Sequence, residues 1–330
     1  MNLTVIVVTL NRPEELRRCL GCLFEQTPRP QQVIVVDASQ DELSRHVTTE
    51  FADALYLRNG NGYGRMTRSR NIGLLRSTGD IIAFLDDDAF AHAGWSENLL
   101  QTYGDDATVG AVGGRALNNQ PNEASEGVLE IGKLRRDGNL SGFFAADPCR
   151  TIEVDHIMGC NMSFRREVLA KLGGFREDYP GISGVREDSD MCLRVREIGY
   201  RILFNPKAVV DHLGAPQAAG KRFDLRYSFY SQHNHIVMLM RNFGPKSPVF
   251  GRYLLSSARH VGEDWLRRVA SGTAKVGVFL GGTVAGVVSA SRLISRTGRS
   301  PVRNDYEGRK LRETLSKPVR GTLSPEEKVG

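Results

Sequence analysis

From residue 3 to residue 85, short apolar runs rich in β-branched residues alternate with segments of helical periodicity, and this alternation limits the fold more than any other feature. Runs that are apolar on both faces belong to a parallel sheet covered by helices. The spacing predicts strands at Leu3–Thr9, Gln32–Asp37, Ala54–Arg58 and Asp80–Leu85, with helices at Pro13–Phe24, Asp41–Phe51 and Met66–Ser77. Asn11 is the expected N-cap of the first helix, with Pro13, Glu14 and Glu15 in its first turn. Open sheets of this kind bind ligands at the carboxyl ends of their strands, where Thr9, Asp37 and the triplet Asp86-Asp87-Asp88 fall. The turn after the first strand, TLNRPEE, contains no glycine, which removes the main support for a nicotinamide or flavin site.

The later sequence is less regular. Gly60–Gly64 (GNGYG) reads as a plain loop, with a lip over a donor site as the alternative. Residues 118–150 are Gly/Asn-rich and are expected to form an irregular insertion. A helix is predicted from Asp188 to Ile198, ended by Gly199, followed by short strands at Arg201–Phe204 and Ala208–Val210. Val276–Ala290 is apolar, but at about 15 residues it falls short of the ~20 needed to span a membrane, so a buried or membrane-surface helix is expected. The implied organisation is a catalytic domain over residues 1–215, a helical region over 216–298 and a basic flexible tail over 299–330.

Charge follows this division. The net +6 is made of +8 from residue 251 onward, 15 Lys+Arg against 7 Asp+Glu, and −2 before it. A basic end without aromatic interleaving points to anionic lipid and not to nucleic acid. The start lacks a basic n-region and cleavage site, so it is expected to be a buried strand of a cytoplasmic protein, peripheral at the inner face of the membrane. The odd count of five cysteines, Cys19 and Cys22 among them, favours packing thiols over a disulfide framework.

Asp86-Asp87-Asp88 closes the apolar strand IIAFL, and alternation sends Asp86 and Asp88 one way and Asp87 the other. Two carboxylates together at a strand end repel unless a cation lies between them, and hard oxygen ligands suit Mg²⁺ or Mn²⁺ shared with phosphates. A solvated acidic turn is the plainer alternative.

The blocks VIVVTLNRPEEL, VIVVDAS, RSRNIGLLRSTGDIIAFLDDDAFAHAGW, GCNMSFRREVLAKLGGFRED and VREDSDMCLRVREIGYRILFNPKAVVDHLG cover about residues 3–214. In this order they resemble the family 2 glycosyltransferases. The resemblance implies an α/β GT-A fold, a Rossmann-like mixed sheet flanked by helices, with the helical C-terminal extension lying outside it. It also implies non-processive, inverting transfer of a sugar from a UDP- or dTDP-sugar to a hydroxyl acceptor, a glycan or lipid-linked saccharide, with Mn²⁺ or Mg²⁺. By the same resemblance Thr9, Asn11, Asp37, Arg70, Asn71, Asp86 and Asp87 face the donor. Asp86, Asp88 and His212 hold the metal, and Gly159, Cys160 and Asn161 line the acceptor side. Asp188 is the favoured general base, and Glu187 orients it or binds acceptor hydroxyls. Trp95 is expected to pack the core.

Three rivals remain in view. A processive synthase predicts several membrane spans and a Q-x-x-R-W motif, and a sugar-nucleotide pyrophosphorylase predicts a Gly-rich, Arg-containing loop after the first strand; the sequence has neither set. A catalytically inactive relative that binds nucleotide sugars or a partner is the alternative from another class.

Overall fold

A computed structural model describes residues 1–60, 65–118, 125–181, 185–214, 224–267 and 269–318, with only the backbone described over 263–275. Four parallel strands form one half of the sheet: β1 (Leu3–Thr9), β2 (Gln32–Asp37), β3 (Ala54–Arg58) and β4 (Ile81–Asp86). Between them run α1 (Pro13–Phe24), α2 (Leu43–Thr49) and α3 (Met66–Arg76). Every residue of β1 is buried, Ile6 and Val8 in the core on one face and Leu3, Val5 and Val7 in the core on the other. This is why its sequence is continuously apolar.

After the aspartate triplet come β5 (Ala89–Ala91), α4 (Trp95–Tyr103), β6 (Val109–Leu117), β7 (Ile152–Glu153), β8 (Asn161–Arg165), α5 (Arg166–Leu172), α6 (Glu187–Glu197) and β9 (Arg201–His212). The sheet order is β3-β2-β1-β4-β8-β6-β9-β5, with β7 beside β9. Strand β8 runs antiparallel to both β4 and β6, so the sheet is mixed as expected. The two short strands predicted after Gly199 are one 12-residue strand. It passes through Pro206, which offers no N–H to the ladder, and the register against β6 shifts at Gly114/Ala116 where that residue lies.

The N-cap of α1 differs from the expectation. It is Arg12, at φ −138°, because the residue before a proline is kept out of helical conformation. Asn11 sits in the left-handed region at φ 56° and donates its N–H to Ser39 Oγ at 2.8 Å.

The C-terminal part consists of α7 (Leu225–Phe243), α8 (Pro248–Arg267), α9 (Val269–Thr297) and α10 (Tyr306–Ser316). Helix α9 corrects a length estimate. Its segment Val276–Thr297 has 22 residues and contains an 18-residue stretch of mean hydropathy 1.5, long and apolar enough to cross a membrane, because the helix continues past Ala290. Gly282, Gly286 and Ala290 recur every fourth residue and form the side packed on α7: a Cβ at Gly282 would come within 3.0 Å of Phe229 O, and one at Gly286 within 2.8 Å of His233 O. Leu280, Val284 and Val288 repeat at the same interval on an exposed side.

The tail is a second correction. Residues 299–318 pack on the sheet region beside α3 and α5: Leu311 and Leu315 enter the core with Leu172 and Phe175. Arg303 donates to Phe175 O at 2.8 Å and pairs with Glu177 at 3.0 Å. The Ser-Pro and Lys-Pro pairs suggested fraying, but the i,i+4 leucine pair makes an apolar face that the core covers. Residues 319–330 lie outside the described residues, as do 61–64 of the Gly60–Gly64 loop.

Candidate active site

A pocket of about 330 Å³ opens at the carboxyl ends of β1 and β4 and is closed on its far side by α6 and residues 144–160. That size suits a small ligand. Of the expected site residues, Thr9, Arg70, Asp86, Asp87, Asp88, Gly159, Cys160, Glu187, Asp188 and His212 line it.

On the sheet side β4 ends at Asp86, and Asp87 and Asp88 form a turn, so the turn and not strand alternation divides the triplet. Asp87 is buried; its Oδ2 accepts from Thr9 Oγ1 at 2.8 Å, and its Oδ1 pairs with Arg12 at 2.9 Å. Burial pushes the Asp87 carboxyl up to about 7, against the opposing pull of Arg12. Asp86, Asp88 and His212 instead converge, each offering a ligand atom within 4.8 Å of the others. His212 Nε2 lies 3.5 Å from Asp88 Oδ1, and its buried Nδ1 has no hydrogen-bond partner. Burial opposes protonation of this imidazole, but Cys160 and Asp88 outweigh it and raise its pKa to about 11. Two carboxylates and one imidazole converging in this way fit a divalent cation, whose binding would displace the imidazole proton.

Arg70 joins the two sides of the pocket. It is 1% exposed, pairs with Glu187 at 2.8 Å and reaches Asp86 at 3.5 Å. Its fork is therefore held by carboxylates of the protein, although the resemblance had it face the donor. Burial and the adjacent Asp188 push Glu187 up to about 8, with Arg70 acting against them.

Asp188 is the second residue of α6, which begins at Glu187, one residue before the start that the sequence suggested; Arg186 is the N-cap. Its Oδ2 accepts from Gly159 N–H at 3.0 Å, and its Oδ1 from Ser189 N–H at 2.6 Å and Ser189 Oγ at 3.2 Å. Glycine at 159 eases the approach, since a Cβ there would lie 3.0 Å from Arg70 Nη2, a tight contact, and 3.4 Å from Asp188 Oδ2. Asp190, two residues on, is buried away from the pocket against Arg176, Tyr179 and Asn242.

Four expected residues do not line the pocket. Asp37 is fully buried, accepting from Ser39 N–H and Tyr56 OH at 2.8 and 2.9 Å. Asn11 is held beside it by Ser39. Asn71 is turned to the loop after α5, donating to Phe175 O and Glu177 and accepting from Phe175 N–H. Asn161 braces the sheet: it accepts from buried Trp95 Nε1 and donates to Arg115 O and Ala208 O. Sequence reasoning missed Arg12, Phe144, His156, Arg186, Ser189 and Tyr227, all in the wall. Arg12 stood in the TLNRPEE turn, and Arg186 and Ser189 flanked Glu187-Asp188; the others carried no local signal.

Residues 4–173 match the family model described as glycosyl transferase family 2, and residues 143–214 match that described as the N-terminal domain of galactosyltransferase. The chain is 30% identical over 222 residues to the glucosyl-dolichyl phosphate glucuronosyltransferase of Haloferax volcanii, covering 64% of this chain and 69% of the relative. Its fold is similar to that of the mannosyltransferase PcManGT from Pyrobaculum calidifontis, solved with GDP-Man and Mn²⁺ (TM-score 0.53, 20% identity, 88% of this chain and 87% of that one). It is also similar to GalNAc-T7, solved with UDP, GalNAc and Mn²⁺ (TM-score 0.56, 15% identity), covering 72% of this chain and about half, 48%, of that one. The GT-A architecture expected from the sequence is the one these folds share.

Proposed function

Because this chain belongs to glycosyl transferase family 2, we propose that it moves a sugar from a UDP- or dTDP-sugar to the hydroxyl of a glycan or lipid-linked saccharide, with inversion at the anomeric carbon. The observation that carries this is the opposition of two sets of groups across one pocket: Asp86, Asp88 and His212 on the sheet side, Asp188 on the helix side. Mn²⁺ or Mg²⁺ held by the first set would offset the charge on the departing diphosphate.

Asp188 then removes the proton of the acceptor hydroxyl. Its three hydrogen-bond donors fix the carboxylate plane, and half-exposure leaves it open to the acceptor. Glu187, spent on Arg70, holds the start of α6 against the Asp86 side and so positions Asp188. One base opposite one leaving group gives a single displacement, hence inversion. Thr9 and Arg12 keep Asp87 in place behind the donor, and Asp37 supports base recognition through the turn it shares with Ser39.

The membrane belongs to the same proposal. The exposed Leu280, Val284 and Val288 of α9, with Arg292 and Arg296 beyond them, suit an anionic lipid surface beside the acceptor side.

The metal assignment is tested by calorimetry of UDP with Mn²⁺. Asp88→Ala is expected to abolish the metal-dependent part of binding while the protein stays folded, since the residue lies at a strand end. Unchanged affinity in that variant would remove the assignment.

A further inference from the structure

We propose that Arg186 is the receptor for an oxyanion, a phosphate or carboxylate, carried by the acceptor. The inference deepens the acceptor-side assignment of the pocket above and rests on it.

Arg186 differs from the other cations of the wall. Arg12 is neutralised by Asp87 and Asp88, and Arg70 by Glu187 and Asp86. Arg65 is exposed, so its charge is hydrated. Arg186 is half-buried in the wall and makes no side-chain hydrogen bond or ion pair among the described residues; its Nε is sealed from solvent without an acceptor. A buried N–H of a guanidinium is costly to leave unmet. Its backbone adds a second irregularity. At φ 80° it is a non-glycine residue in the left-handed region, a conformation that persists where the surroundings impose it and that clusters at ligand sites.

Position selects the acceptor. Arg186 lies two residues before Asp188, and its charge, after burial itself, helps hold His156 and His235 low, at about 4 and about 3. His156 meets Phe144 edge-on in the wall and His235 lies on α7, and neither belongs to the Asp86, Asp88 and His212 cluster. His156 and His235 are thus neutral and give the cation no competition for an anion. A guanidinium fork matches carboxylate or phosphate through two parallel bonds, which a neutral hydroxyl cannot return.

The test fills the donor side first. Protein saturated with UDP and Mn²⁺ is titrated with glucose 1-phosphate, methyl glucuronoside, inorganic phosphate and neutral methyl glucoside. We expect one of the two anionic sugars to bind at least about tenfold more tightly than methyl glucoside, and Arg186→Ala to erase that preference. Arg186→Lys, which keeps the charge and loses the fork, should fall between and guards against a folding defect in the alanine variant. Equal binding of neutral and anionic sugars, or an unchanged preference in both variants, overturns the proposal. So does anion binding that vanishes when UDP and Mn²⁺ are added, which would give Arg186 to the donor. Inorganic phosphate as tight as the sugar anions would mean a free ion, and also overturns it. If UDP does not bind at all, the donor assignment fails; the same titrations on unliganded protein, wild type against variants, still decide the role of Arg186.

Discussion

The sheet side and the helix side of the pocket treat their charges differently. At the strand ends Asp87 is answered by Thr9 and Arg12, and Asp37 by Ser39 and Tyr56, so these groups are fixed before anything binds. Across the pocket Asp188 is oriented by N–H groups yet half-exposed, and Arg186 has no partner among the described residues. Apart from the Asp86, Asp88 and His212 cluster, where His212 Nδ1 is unmet, the sheet side is fixed before binding, whereas the helix side keeps its charges open; a first ligand meets preorganised groups and a second meets free ones.

Arg70 is the residue that ties the two sides together, so its loss should show most. Arg70→Ala leaves Glu187 buried and unpaired, and should destabilise the protein by ~3–5 kcal/mol in urea unfolding. A change below 1 kcal/mol would mean that the two sides are not coupled through this pair. Leu311→Ala probes a support outside the pocket. Leu311 is 1% exposed in the core shared with α5, and its truncation should cost ~2–5 kcal/mol. A near-neutral result would return residues 299–318 to the status of a loose tail. The smallest effect concerns the outer surface: serine at Leu280, Val284 and Val288 together should lower recovery of the full chain with anionic liposomes in flotation, without altering UDP binding. Equal recovery would separate the exposed stripe from any membrane role.

Legibility in the sequence followed the same divide. The first four strands were readable because a parallel sheet buries both faces and makes unbroken apolar runs, and the triplet at a strand end announced itself by charge. Strand β6 was hidden inside VGAVGGRAL, where three glycines suppress the β pattern; β9 was split by Pro206. Asn71 and Asn161 belonged to blocks that matched a family, yet their side chains serve neighbouring loops and strands, a direction that spacing does not reveal. That Arg186 has no side-chain partner among the described residues is likewise invisible in sequence, because it depends on three-dimensional packing.

The central claim is that Asp188 removes the acceptor proton while the opposite side holds the donor. Turnover of Asp188→Asn, measured beside its UDP and Mn²⁺ affinity, tests it most directly. Asparagine keeps the size and can still accept from Ser189, but it turns its NH2 toward Gly159 N–H and loses the basicity, so donor affinity should persist while turnover falls by at least ~10²-fold, to a product of inverted anomeric configuration by NMR. Near-normal turnover, or a product that retains the donor's configuration, would contradict the account.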